Sequence, residues 1–372
     1  MAKYRFDQVA RECRTTFKGD KNGMPIVGLE HLVPNEMLVR DFEVDTENTF
    51  TKSFKQGQIL FGRRRAYQQK AGVAQFDGIC SGDITIIEAI PGKIEPNLLP
   101  FIVQNEQFFE HAVQGSAGSL SPRVKWEHLA SYEIELPTME KQRVLADKLW
   151  TAYRLKESYK KLLAATDEMV KSQFIEMFGE RTTTPVGYYI KDSFPGDWGK
   201  EDLDGTGVKV IRTTNFTNFG KLNLSEVVTR SIEERKIQKK QILKYDTILE
   251  RSGCTADNPV GRVVLFEEDE QYLCNNFTQV LRFKDIDPRF AFYALFYFYQ
   301  MNKTSIRSMG SKTTGIQNLN MSKYLEIGIP NADEDEQKQF VSIAEQADKS
   351  KFELRKSTEA IDRVIKSLIN NV

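Results

Sequence analysis

The chain has 372 residues, 40% of them hydrophobic, with 52 basic and 52 acidic side chains and a formal net charge of zero. That length exceeds one ordinary core and predicts two or three domains. Zero net charge excludes a protein that coats nucleic acid non-specifically, but not a reader that needs basic residues in a few places only.

The opening segment MAKYRFDQVARECR lacks the apolar core of a signal peptide, and no apolar run is long enough to cross a bilayer, so a cytoplasmic protein is expected. Gln58-Ile59-Leu60-Phe61 and Ile84-Thr85-Ile86-Ile87 read as strands, with Cys80 just ahead of the second. The stretch from Pro100-Phe101 to Val113 reads as an aromatic-rich helix. GSAGSLSPRVKW follows from Gly115, and the short alternating strand Ile134-Glu135-Leu136-Pro137 stops at proline. Neither Gly nor Pro occurs from Thr138 to about Phe178, which predicts a long helix capped by Gly179. Thr182-Thr183-Thr184-Pro185 then reads as a linker.

The second half repeats this order. Asp246-Thr247-Ile248-Leu249 and Thr278-Gln279-Val280-Leu281 read as the matching strands, with Cys274 in the place of Cys80. The aromatics from Phe290 to Met301 read as core rather than as a platform for stacking bases. GSKTTGIQNLNM begins at position 310, offset by 195 residues from the GS phrase at position 115. Gln142 and Gln337, at the starts of the two long helices, keep the same offset of 195.

Leu145, Leu149, Ala152, Lys156, Tyr159, Leu163, Thr166, Val170 and Gln173 alternate by four and three residues, as in a coiled-coil seam. The same offset converts them into Phe340, Ala344, Ala347, Lys351, Leu354, Thr358, Ile361, Ile365 and Leu368. Leu155, Leu162 and Met169 widen the first stripe. Two such helices in one chain are expected to pack antiparallel, each ~38 residues or ~57 Å long at 1.5 Å per residue. The predicted fold is α+β, with two mixed, strand-rich domains separated by two long antiparallel coiled-coil helices in a pseudo-two-fold repeat. Boundaries are expected at 1–137 for the first domain, 138–180 for the first helix, 181–330 for the second domain and 331–372 for the second helix.

Arg63, Arg64 and Arg65, with Tyr67 and Lys70, form the best basic cluster, directly after a strand. Arginine can bond guanine bidentately or grip phosphate, whereas a solvated loop or ion pair is the plainer reading. Arg251 and Ser252 hold the matching place in the second half. The GS loops supply Ser116, Ser119, Ser121, Arg123 and Lys125 in one copy, and Lys312, Thr313, Thr314, Gln317 and Asn318 in the other. Hydroxyls and amides on a glycine loop suit phosphate, and Gln or Asn suits adenine edges; a turn that ends a helix is the alternative. Arg212-Thr213-Thr214-Asn215, aligned with Gly28-Leu29-Glu30-His31, is a third candidate with an equally good structural reading.

No catalytic or metal site is expected. The four cysteines show no CxxC pairing and the three histidines are scattered. Asp257-Asn258-Pro259-Val260 lacks the second proline and the ring of a methyltransferase tetrapeptide. Gly310-Ser311-Lys312-Thr313 ends like a phosphate-binding loop, but Ile306 stands where its first glycine belongs.

The segments QILFGRRRAYQQKAGVAQFDGICSGDITII, VIRTTNFTNFG, DTILERSG and GIQNLNMSKYLEIGIP, the GS loops and the EKQ and DEQ helix starts, taken in their duplicated order, resemble the specificity (S) subunit of type I restriction–modification systems. The resemblance covers essentially the whole chain. It implies a non-catalytic subunit with two target recognition domains, each reading half of a split, asymmetric sequence in double-stranded DNA. It implies helices that dock two methyltransferase (M) subunits, with restriction (R) subunits added. S-adenosylmethionine, ATP and Mg are then expected on those partners and no cofactor on this chain; no membrane partner is expected. Two alternatives are a coiled-coil scaffold for protein partners and a detached specificity part of a fused restriction–methylation enzyme. The resemblance predicts co-purification with a protein carrying an NPPF-type motif, and adenine methylation at defined sites only when this chain is present. Methylation independent of the chain would contradict it.

Overall fold

The computed structural model describes residues 2–253, 258–313 and 316–370, without the side chains of 312, 313 and 316. The chain divides into two compact units, Met1–Leu162 with Glu353–Val372, and Leu163–Phe352.

In the first unit the apolar run at 59–61 is a strand buried on both faces. Ile59–Gly62 pairs antiparallel with Ile84–Ala89, Leu60 opposite Ile86 and Phe61 opposite Thr85. Side chains alternate across a strand, so Ile59, Phe61 and Ile87 enter one core with Phe6, Phe101, Phe108 and Phe109. Leu60, Ile84 and Ile86 enter another with Val27, Val39 and Phe54. The full sheet runs Ala10–Cys13, Ile84–Ala89, Ile59–Gly62, Ala71–Ala74 and Leu38–Val39. Ile26–Val27, Gly78–Cys80 and Lys52–Phe54 form a smaller sheet, in which Val27 and Cys80 face each other in a parallel pair.

The second unit repeats the plan. Thr247–Glu250 pairs antiparallel with Thr278–Phe283, flanked by Ile190–Pro195 and Val263–Leu265. Ile248, Val264 and Val280 face one core and Leu249, Val263 and Leu281 the other. Ile211 and Cys274 form the parallel pair corresponding to Val27 and Cys80. Both thiols are buried strand positions, and burial pushes their pKa values up to about 12 for Cys80 and about 11 for Cys274. They are packing groups, not nucleophiles. Cys254 lies outside the described residues.

The segment at 182–185, expected as a linker, contributes a strand. Thr183–Pro185 pairs antiparallel with Gly328–Pro330, as Ala2–Arg5 pairs with Glu133–Leu136. A two-stranded ribbon has only edges, and Pro185 closes one end, where its missing N–H costs no ladder bond.

Both long helices form, at Met139–Phe178 and Glu334–Ile369. Asp333 and Glu336 exchange side chain-to-backbone bonds of 2.9 and 3.1 Å, a capping box that starts the second. The two glutamines do the same work in each unit. Gln142 donates to the Pro137 carbonyl (2.9 Å) and accepts from the Glu95 amide (3.0 Å). Gln337 donates to Ala332 (2.9 Å) and accepts from Asp287 (2.9 Å). Each ties a helix start to the loop ahead of its unit's aromatic helix.

The seams are polar at the same step. Lys156 reaches Asp362 at 2.5 Å in the first unit, and Lys351 reaches Asp167 at 2.8 Å in the second. In the second unit Phe340 sits 5.2 Å from Phe174 while Lys351 meets Asp167, so the helix segments there run antiparallel. Leu155, Leu162 and Met169 do not widen the buried stripe; they are exposed. Recurring every seven residues, they form a separate outward stripe. The aromatics of Pro288–Met301 are core, as expected: Phe290, Tyr293 and Tyr297 are buried around Phe340. Among the described residues no helix is long and apolar enough to cross a membrane.

Replacing Phe340 with Ala removes the centre of this aromatic cluster and is expected to cost about 3–5 kcal/mol, read as a lower denaturation midpoint of the second unit. Asp348 supplies a pH test. Burial pushes its pKa up, but Lys221 at 3.0 Å and Lys351 at 2.8 Å more than offset that, and the carboxyl titrates below the ordinary aspartate value. A depressed folded-state value stabilises above the unfolded pKa, and this stability is lost as pH falls through the folded pKa. Asp348→Asn should therefore flatten the fall in stability below about pH 4. An acid limb as steep as that of the parent chain would contradict the assignment.

Candidate nucleic-acid interface

In both units the basic loop that follows the strand docks on the GS loop. In the first, the Arg63 amide donates to the Asp83 carbonyl (2.9 Å), and the Arg63 carbonyl accepts from Val124 (3.0 Å). Arg65 donates to Pro122 (2.8 Å), and Arg64 and Arg123 form an antiparallel bridge. In the second, Leu319 donates to the Arg251 carbonyl (2.8 Å), and Ser252 and Gly253 pair with Asn318 and Gln317. Val124 and Leu319 are themselves offset by 195 residues. Loops far apart in sequence thus make matching backbone contacts in both units.

The GS glycines are required by close approach. A Cβ at Gly115 would lie 1.9 Å from the His128 ring, and one at Gly310 would lie 2.2 Å from the Gln317 amide. His128 stacks on His111 with centroids 4.2 Å apart, and each ring nitrogen bonds the other residue's carbonyl at 2.8 Å. That pair fixes the end of the helix Glu106–Gln114, where the loop begins.

Side-chain chemistry differs between the copies. In the first unit Arg123 grips Asp83 through two bonds, 2.6 and 3.1 Å, and Arg64 lies 3.7 Å from the same carboxylate while donating to Ser121 at 3.1 Å. The Arg123 hydrogen bond, aided by the charges of Arg123, Arg64 and Arg63, holds the Asp83 carboxyl below its usual value against burial. One carboxylate thus faces a group of guanidiniums, and the site is net positive. The Nε atoms of Arg63, Arg64 and Arg65 are buried without a hydrogen-bond partner. Arg65 holds left-handed backbone at φ 54°, a conformation that costs any residue with a Cβ. Tyr67 is exposed beside it.

In the second unit Arg251 donates to Gln279 (3.4 Å), Gln279 donates to Ser193 (2.7 Å), and Ser252 donates to Asn318 (2.6 Å). Where the first unit has Gly62, the second has Glu250, buried and held bidentately by Arg262 at 2.7 and 3.1 Å. Glu250 raises the Arg262 pKa through that hydrogen bond, against burial. The pair is a support beneath the loop.

Several predicted residues are committed elsewhere. Lys70 donates to the Leu29 carbonyl (2.7 Å), and Ser116 to Ala112 (2.8 Å). Gln317 is buried and donates to Arg307 (3.2 Å). Asn215 accepts from the Arg212 amide (2.9 Å) and bonds Asn223 and Glu226, as His31 accepts from Gly28 (2.9 Å), so this third candidate builds a turn in both copies. Ser119 and Lys125 are exposed in the first loop. Thr314 lies outside the described residues, as do the Lys312 and Thr313 side chains. Asp83 was not legible as a partner of these arginines, because 40 residues separate it from Arg123. Among the described residues no group of three or more His, Cys, Asp or Glu could hold a metal.

Residues 193–362 match the type I restriction modification DNA specificity domain. A curated relative, the type I restriction enzyme EcoDI specificity subunit of Escherichia coli, is 24% identical over 191 residues, which take in 48% of this chain and 41% of that protein. The matched part is thus less than half of that relative's length. The S subunit from M. genitalium superposes over 99% of this chain and 94% of its own, with a TM-score of 0.61 at 12% identity. A chain solved in work on assembly and conformational transition of the type I R-M system covers 99% and 96%, with a TM-score of 0.57 at 15% identity. Residues 193–362 thus match the specificity domain, and the chain as a whole shares the fold of the solved M. genitalium S subunit.

Proposed function

We propose that this chain reads a split, asymmetric sequence in double-stranded DNA, one half-site per unit, on behalf of partner subunits that carry out the chemistry. The observation that carries the reading is the repeated docking of a basic loop on a GS loop, with backbone bonds alike and side chains unlike. Equal scaffolds with unequal side chains suit two different half-sites. Arginine-rich Arg63, Arg64, Arg65 and Arg123 suit guanine edges or phosphate, and Arg251, Ser252 and Asn318 offer a mixed donor and acceptor set.

In this reading the domains follow 1–137 and 181–330, with the intervening 138–180 and the final 331–372 as spacer helices. The helices dock two methyltransferase subunits, and restriction subunits join them. S-adenosylmethionine, ATP and Mg act on those partners. The exposed stripe of Leu155, Leu162 and Met169 supports a docking role for the first helix.

Changing Arg63, Arg64 and Arg65 together to Ala should weaken DNA binding by the chain with its methyltransferase partner. Each lost phosphate contact should lower the slope of log affinity against log salt by about 0.9. If affinity, slope and sequence preference all stay unchanged, the loop lies outside the interface.

A further inference from the structure

The second unit carries a basic surface outside the reader loops. The helix Glu234–Lys240 has the sequence ERKIQKK. At 100° per residue, Arg235, Lys236, Lys239 and Lys240 fall within an arc of about 140°. Ile237 points the other way and is buried against Val210 and Leu273, which fixes that arc outward. Glu234 lies off the arc, where it accepts from Gln238 at 3.1 Å.

Arg235, Lys236 and Lys239 are exposed. Lys240 is spent on the fold, donating to the Gly196 carbonyl (3.2 Å) and to Asp197 (3.3 Å). Those bonds place the helix. The Gly196 amide donates to Thr278 (3.2 Å), and the Asp197 amide to Cys274 (2.8 Å). The Phe277 carbonyl, one residue before Thr278, accepts from both Arg251 (2.8 Å) and Ser252 (3.0 Å). A cleft lined by Lys200, Lys236, Trp198 and Asn276, and also by Asp197 and Glu233, adjoins the helix. Asp197 is already neutralised by Lys240. Basic helix, cleft and reader loop therefore share one end of the Ile190–Pro195 and Thr278–Phe283 strand pair, the end where Pro195 faces Gln279.

We propose that Arg235, Lys236 and Lys239, continued by Lys200, grip the phosphate backbone of the DNA whose bases the Arg251 loop reads. The proposal rests on the DNA-reading function above and adds a sequence-independent hold. Clustered, exposed cations on a rigid helix suit a polyanion with regularly spaced charges, and phosphate contacts fix register while base contacts specify.

The test uses the full chain with its co-expressed methyltransferase partner, a duplex bearing the methylated target and a scrambled duplex. The variant Arg235→Ala/Lys236→Ala/Lys239→Ala should bind both duplexes about tenfold more weakly, with a salt slope smaller by about two to three and the same methylated sequence. Lys191→Ala/Lys284→Ala, at the opposite end of the strand pair where Ile190 faces Phe283, should leave the slope unchanged. An unchanged slope in the triple variant, an equal fall in the control pair, or an altered target sequence would each overturn the proposal. So would normal DNA affinity with loss of the methyltransferase partner, which would assign the helix to protein docking. A parent complex that ignores sequence altogether would instead sink the DNA-reading function itself.

Discussion

Each long helix carries one lysine in its seam, and each lysine finds an aspartate on the other helix. Lys156 with Asp362 and Lys351 with Asp167 are the same pair written twice, because both the lysines and the aspartates are 195 residues apart. An ammonium in an apolar seam is tolerated only where a partner meets it. A parallel pairing or a slip of one turn would break both cross-helix pairs and leave Lys351 only Asp348 of its own helix. The pairs thus select one register, the role in which polar seam residues are best attested. The glutamine bonds then tie each globular part to its helix start, through Gln142 in one unit and Gln337 in the other.

With the scaffold fixed by backbone bonds and glutamines, the loop side chains can diverge. Val124 and Leu319 make equivalent amide bonds to Arg63 and Arg251 whatever the neighbouring side chains are. Gly62 in one copy and Glu250 in the other show the extent of that freedom. Glycine leaves the first loop resting on backbone, while the second needs a buried ion pair with Arg262 to satisfy its carboxylate. Such a division of labour is what two readers of different sequence on one frame require.

The parts of this architecture that recur were legible in the sequence. The seam, the strand pairs at 59–61 and 84–87, the buried cysteines and the helix-start glutamines all repeat, and repetition marks positions set by packing. What stayed hidden depends on contacts between distant positions. Nothing local shows that Lys70 is taken by Leu29, that Gln317 is taken by Arg307, or that Asp83 sits among the arginines. Leu155, Leu162 and Met169 were misplaced because a heptad pattern does not say which of two adjacent apolar stripes faces inward. The basic helix at 234–240 escaped notice because its charge is balanced over the whole chain and it has no counterpart in the first half.

The measurement that bears most directly on the central claim is the set of methylated sequences in a host carrying the complete system, compared with one in which residues 181–330 come from a relative of different target. One half of the methylated sequence should change while the other half, read by the unit that carries Arg63–Arg65, persists. An unchanged sequence, or a wholesale change in both halves, would contradict the assignment of one reader to each unit.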